Sequence, residues 1–187
     1  MKKISILGLS ALLALSLQAD TMGMKKEGVK YIKMLGKELK TNLKAHMKAD
    51  PSGLEAMGFC AGKAQEITQA VNAKLPKGAT VRRTALKLRS PANAADIIDK
   101  DMMQSYQKKA DAKTLDGKDI QMAEVDGKMR VYKPLLIQPV CMKCHGDSAK
   151  VSDDIQAVLT KVYPSDNAMG FNVGDFRGVM VSEFPKR

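Results

Sequence analysis

The stretch VCMKCHGD, residues 140–147, holds two of the chain's three cysteines and one of its two histidines. Two thiols three positions apart, with an imidazole directly after the second, form the attachment pattern of c-type haem. The spacing has a chemical reason. The two thiols add to two vinyl groups on one porphyrin edge, two intervening residues set that reach, and the adjacent imidazole lies under the iron. Cys141 and Cys144 are then the thioether sulfurs and His145 the proximal ligand of one covalently attached haem c. The motif lies three-quarters along the chain. Rival readings fit less well. A structural zinc site takes four ligands, and only Cys60 and His46 remain to complete one. A thioredoxin-type CxxC opens a helix within a βαβ pattern, which this sequence lacks. A structural disulfide between the two is the third rival.

The start of the chain sets the compartment. Lys2 and Lys3 precede an apolar run, residues 4–17, and Ala19 stands before a cut at Asp20, so residues 1–19 read as a secretory signal. The run is shorter than the ~20 residues a spanning helix needs, and no cysteine follows it to carry a lipid. The expectation is an exported, soluble, periplasmic protein with no stable membrane span, and residues 20–187 as one domain. The net charge is +11, or +9 once the signal's two lysines are gone. That favours a solvated basic surface or an acidic partner. Export, and the lack of a basic patch interleaved with aromatics, argue against nucleic acid.

Cys60 is left without a cysteine to pair with. Leu54, Met57, Cys60, Ala61, Ala64, Ile67 and Val71 recur at three- and four-residue steps, the buried stripe of a helix that starts after Asp50-Pro51-Ser52. Spacing alone favours a small buried core thiol. It also leaves open a distal ligand to the iron, for which one of the 13 methionines and His46 compete. His46 lies beside the stripe Ile32, Leu35, Leu39, Leu43, Met47 of the preceding helix.

Elsewhere the pattern predicts a long amphipathic helix over 22–49 with lysines outward, a second helix over 52–73, a strand over 81–89 with Val81, Ala85 or Leu86, and Leu88 inward, and a helix over 94–109. Asp126-Gly127 sits between two strand-like runs, a hairpin signal. A short helix over 151–163, a glycine-rich loop and a last strand, FRGVMVSEF, close the chain. Helices followed by strands in this order predict an α+β domain with a small antiparallel sheet.

LEAMGFCAGKAQEIT, VRRTALKLRSPANAAD, VYKPLLIQPVCMKCHGD and MGFNVGDFRGVMVSEFP together resemble the family of exported single-haem c-type proteins with a PAS-like fold, which includes soluble members and extracytoplasmic sensor regions. The resemblance covers roughly residues 25–185. It implies a PAS-like antiparallel sheet flanked by helices and preceded by a long N-terminal helix, with Cys141, Cys144 and His145 holding the haem. A soluble member uses a cysteine as distal ligand, and the matching position is Cys60. The loop SPANAAD departs from the family by lacking an asparagine before the proline and a second proline near Ala95. The two propionates of such a haem call for cations. Arg82, Arg83, Lys87, Arg89, Arg130 and Lys133 are the candidates, Arg89 foremost because it enters the signature loop.

Two functions follow as expectations. One is a redox-responsive or small-ligand-sensing module with His/Cys ligation, open on reduction to a diatomic ligand and signalling through a partner protein. The other is a single-haem electron carrier with a methionine or histidine distal ligand and an acidic redox partner. An enzyme is not expected, because a peroxidase needs an acid–base group over the iron and only His46 offers an imidazole.

Overall fold

The computed structural model describes residues 7–186, with side chains from Asp20 onward, so the expected signal at residues 1–19 lies outside the described side chains. Among the described residues no helix is long and apolar enough to cross a membrane.

Two helices open the chain, α1 (Leu7–Ala49) and α2 (Leu54–Asn72). Asp50 joins them. Its carboxylate accepts hydrogen bonds from the Ser52 amide and hydroxyl and from the Glu55 amide, which satisfies free donors at the start of α2. Four strands follow: β1 (Thr80–Thr84), β2 (Gln121–Val125), β3 (Lys128–Leu136) and β4 (Phe176–Pro185). They form one antiparallel sheet in the order β1-β4-β3-β2. The predicted hairpin is present. Asp126 and Gly127 both take positive φ, 50° and 72°, as a two-residue turn between twisted strands requires.

The sheet is covered on both faces. Met129 and Val131 on β3, with Met180 and Phe184 on β4, face Tyr31, Ile32, Leu35 and Leu39 of α1. Tyr132 on β3, with Val179 and Val181 on β4, faces Met103 and Tyr106 of α3 (Ile97–Asp111). Each strand therefore splits its residues between two cores with period two. Gly28 lets α1 lie close to the sheet, since a Cβ built there would stand 2.3 Å from Val131 Cγ2. This is the α+β arrangement expected of a PAS-like fold with a long leading helix.

Two local expectations need correction. The strand predicted over 81–89 stops at Thr84. Thr84 pairs with Val179, and Gly178 next in β4 lies at φ 152°, hard against the Thr84 carbonyl. Beyond this point the chain leaves the ladder for the loop around residues 166–169, where Asn167 donates to the Leu88 carbonyl at 2.7 Å. Ala85 is buried and Leu86 exposed. Leu54, assigned to the inner stripe of α2, is exposed as well.

Candidate functional site

Where β3 ends, the chain folds into two consecutive helical turns. Pro139–Cys141 is a 3-10 turn and α4 (Met142–His145) is a single α-turn. Cys141 donates its amide to the Gln138 carbonyl at 2.9 Å, and Gly146 donates to the Met142 carbonyl at 3.1 Å. Helical winding brings both cysteines and the histidine to one end of the sheet. All three cysteines of the chain are free thiols.

The His145 ring is fixed from outside the motif. Nδ1 lies 2.7 Å from the Ala168 carbonyl oxygen. A carbonyl only accepts, so Nδ1 carries the proton and Nε2 keeps its lone pair. Burial, followed by the nearby Arg89 and Arg177 charges, pushes the His145 pKa down to about 3, which leaves the ring neutral. Phe171 meets the ring edge to face at 6.3 Å and donates its amide to the His145 carbonyl at 3.0 Å.

Arg89 ties this loop to the motif. Its Nε donates to Asp166 at 3.0 Å, and its Nη2 donates to the Cys144 carbonyl at 2.5 Å. The same Nη2 approaches the Ala168 carbonyl and Met169 Sδ, each at 3.3 Å. Arg89 therefore positions the second cysteine of the motif and the loop that holds His145.

A cavity of about 890 Å³ opens beside the motif, with Cys141 and His145 in its wall. Such a volume suits a cofactor. Ile32, Leu39, Leu43, Leu135, Ile137 and Met180 make much of the lining apolar. The charged members of the wall are Lys33, Lys37, Lys40, Lys44, Arg83, Arg89, Lys133 and Arg177, with no carboxylate among them. Arg177 donates to the Lys87 carbonyl at 2.8 Å, and burial, then Arg89, pushes its pKa down to about 10. Lys133 donates to the Gly117 carbonyl. Lys87 donates to the Met169 carbonyl at 2.8 Å and sits over the Phe171 ring.

The other arginines proposed for propionates divide sharply. Arg82 pairs with Asp99 at 2.6 Å, and Arg130 bonds Asp96 and Glu183, so both are occupied away from the cavity. Arg83 lines the cavity, and its buried Nε has no hydrogen-bond partner among the described residues.

Cys60 packs in an apolar cluster with Met57, Ile155, Leu159 and Cys144, so the structure brings it to the second cysteine of the motif. It does not itself line the cavity. Burial pushes the thiols of Cys60 and Cys144 above their ordinary values, while Arg83 and Arg89 act against the shift at Cys60. His46 lies elsewhere, stacked on Phe59 at a centroid distance of 4.8 Å and facing Glu55. Of the methionines, Met180 lines the cavity. Among the described residues no three His, Cys, Asp or Glu side chains gather to hold a metal ion. Arg177, Asp166, Phe171 and the Ala168 carbonyl were not predicted. A backbone acceptor leaves no mark on sequence, and Asp166 became a partner only when the fold brought it to Arg89.

A family model described as Tll0287-like matches residues 14–185. The crystal structure of the cyanobacterial haem-protein Tll0287 is similar to this chain with a TM-score of 0.52 and 26% identity, over 66% of this chain and 70% of that one. Among curated proteins no match is found.

Proposed function

This chain belongs to the Tll0287-like family, and on that premise we propose that it is a haem-binding protein in which Cys141 and Cys144 carry one covalent c-type haem and His145 is its proximal ligand. The observation that carries the reading is the state of His145. The ring is neutral, oriented by the Ala168 carbonyl, and sits with Cys141 in the wall of an apolar cavity. Fixing the proton on Nδ1 in this way sets the tautomer and raises the basicity of Nε2. The residues present fit the group: the Cys141 thiol and the His145 imidazole on one wall, apolar side chains around the cavity, and cations for carboxylates.

When bound, the haem supplies an iron centre that exchanges one electron. The chain's own residues do the rest. Arg89 and Asp166 hold the motif in register with the loop, Phe171 limits rotation of the imidazole, and the apolar wall excludes water. We assign Cys60 as the distal ligand on the family resemblance; it packs against the same apolar cluster as Cys144. A thiolate opposite histidine lowers the reduction potential relative to methionine, which suits a redox-responsive or small-ligand-sensing module in the periplasm.

One observation favours the electron-carrier alternative. Lys33, Lys37, Lys40 and Lys44 are exposed along the cavity lip, where an acidic redox partner would meet them. Met180, in the cavity wall, is the distal ligand that fits this reading. The test is expression with a haem-attachment system, followed by intact-mass and pyridine haemochrome measurements. A covalent adduct lost in Cys141→Ala and Cys144→Ala is expected. An unmodified chain would refute the reading.

A further inference from the structure

A guanidinium buried in an apolar wall without an acceptor is costly, and natural proteins seldom leave one so. Four of the five arginines in this part of the fold have partners. Arg82 is bonded to Asp99, Arg89 to Asp166, Arg130 to Asp96 and Glu183, and Arg177 to the Lys87 carbonyl. Arg83 differs from these: its Nε is sealed from solvent and has no hydrogen-bond partner among the described residues. It stands on β1 between Arg82 and Thr84, and its register partner on β4 is Met180, another residue of the cavity wall. No Asp or Glu shares that wall. An anionic group on whatever fills the cavity would supply the acceptor that Arg83 lacks there.

We propose that Arg83 is the carboxylate anchor of the cavity, a binding residue that receives one propionate of the haem. This rests on the haem reading above and moves the propionate role from Arg89, whose donors hold Asp166 and Cys144. A fork of guanidinium N–H groups matches a carboxylate's two oxygens, and the low-polarity wall strengthens the pair.

The experiment crosses two changes. Full-length chain prepared without haem, with its thiols kept reduced, is titrated with ferric haem and with its dimethyl ester, which cannot present carboxylates. The Soret band reports binding. Wild type binds the free acid at least tenfold tighter than the ester, as a lost charged hydrogen bond predicts. Arg83→Gln narrows that gap to within about twofold, and Arg83→Lys falls between. If Arg83→Gln does not fold by circular dichroism, Arg83→Lys carries the test. A full gap in the folded variants assigns the carboxylates to another cation and overturns the proposal. Equal binding of acid and ester by wild type also overturns it while sparing the haem reading. No Soret response to either ligand overturns both.

Discussion

Arg89 and Asp166, 77 positions apart in the chain, meet at 3.0 Å with side chains only 11% and 9% exposed. The pair joins the turn after β1 to the loop before β4, and its second donor holds the Cys144 carbonyl. Removing one member leaves the other charge buried and uncompensated. Arg89→Gln should cost about 3–5 kcal/mol, read from urea unfolding of the haem-free chain. Adding Asp166→Asn should restore part of the loss, because the two residues share one interaction. Strict additivity would show that the pair does not couple.

Cys60→Ser tests the distal ligand. Low-spin thiolate features in the ferric electron paramagnetic resonance spectrum should be present in wild type and absent in the variant, and the reduction potential should rise. An unchanged spectrum would make Cys60 a core thiol and turn attention to Met180.

Gly28→Ala sets two effects against each other. Alanine gains about 1 kcal/mol of helix propensity. The new methyl would collide with Val131, a fully buried β-branched residue of the sheet that has no room to retreat. Overpacking of this kind costs about 1–3 kcal/mol, and a contact at 2.3 Å belongs at the upper end. The expected result is a net loss of about 1–2 kcal/mol with a lower thermal midpoint. A stabilised variant would contradict the close approach of α1.

Asp50 gives the start of α2 a pH dependence. The Ser52 hydroxyl, with the amides of Glu55 and Ser52, holds its carboxyl down to about 2. An unfolded aspartate titrates near 3.9. The folded pKa is the lower of the two, so the cap's contribution is complete above about pH 4 and is lost as pH falls toward 2. Wild type should therefore be more stable than Asp50→Asn above that window, and the two should converge within it. A constant difference from pH 5 to pH 2 would count against the cap.

The lysines on the cavity lip repeat at steps of four, three and four, one face of α1. Changing Lys33, Lys37, Lys40 and Lys44 to Glu should abolish binding to polyglutamate at low salt. Wild-type binding should itself fade as ionic strength approaches 1 M, where the screening length is about 3 Å. Equal binding by both proteins would place the acidic docking face elsewhere.

Sequence reading succeeded where chemistry is local. Asp126-Gly127 names its turn by backbone sterics, and the stripe of α2 points Cys60 inward by helical period. It failed where the answer depends on chains that meet only after folding. Six basic residues were candidates for the propionates, with Arg89 ranked first. Their roles separated because Asp99, Asp166 and Glu183 arrived from distant segments to occupy Arg82, Arg89 and Arg130, and nothing arrived for Arg83. β1 ended early for a similar reason, since the loop around Asn167 takes up the backbone that local alternation assigned to the strand.

Ile32 and Leu39 face two ways, belonging both to the core under α1 and to the wall of the cavity. Whatever fills the cavity therefore presses on side chains that also hold the sheet together. Until the thioether links form, occupancy and foldedness are one equilibrium, in which a tight occupant at a hundred times its dissociation constant adds about 2.7 kcal/mol to the native state. A cell that runs short of the occupant would lose the protein itself to proteolysis and not merely its activity, so that abundance of the chain becomes a record of supply.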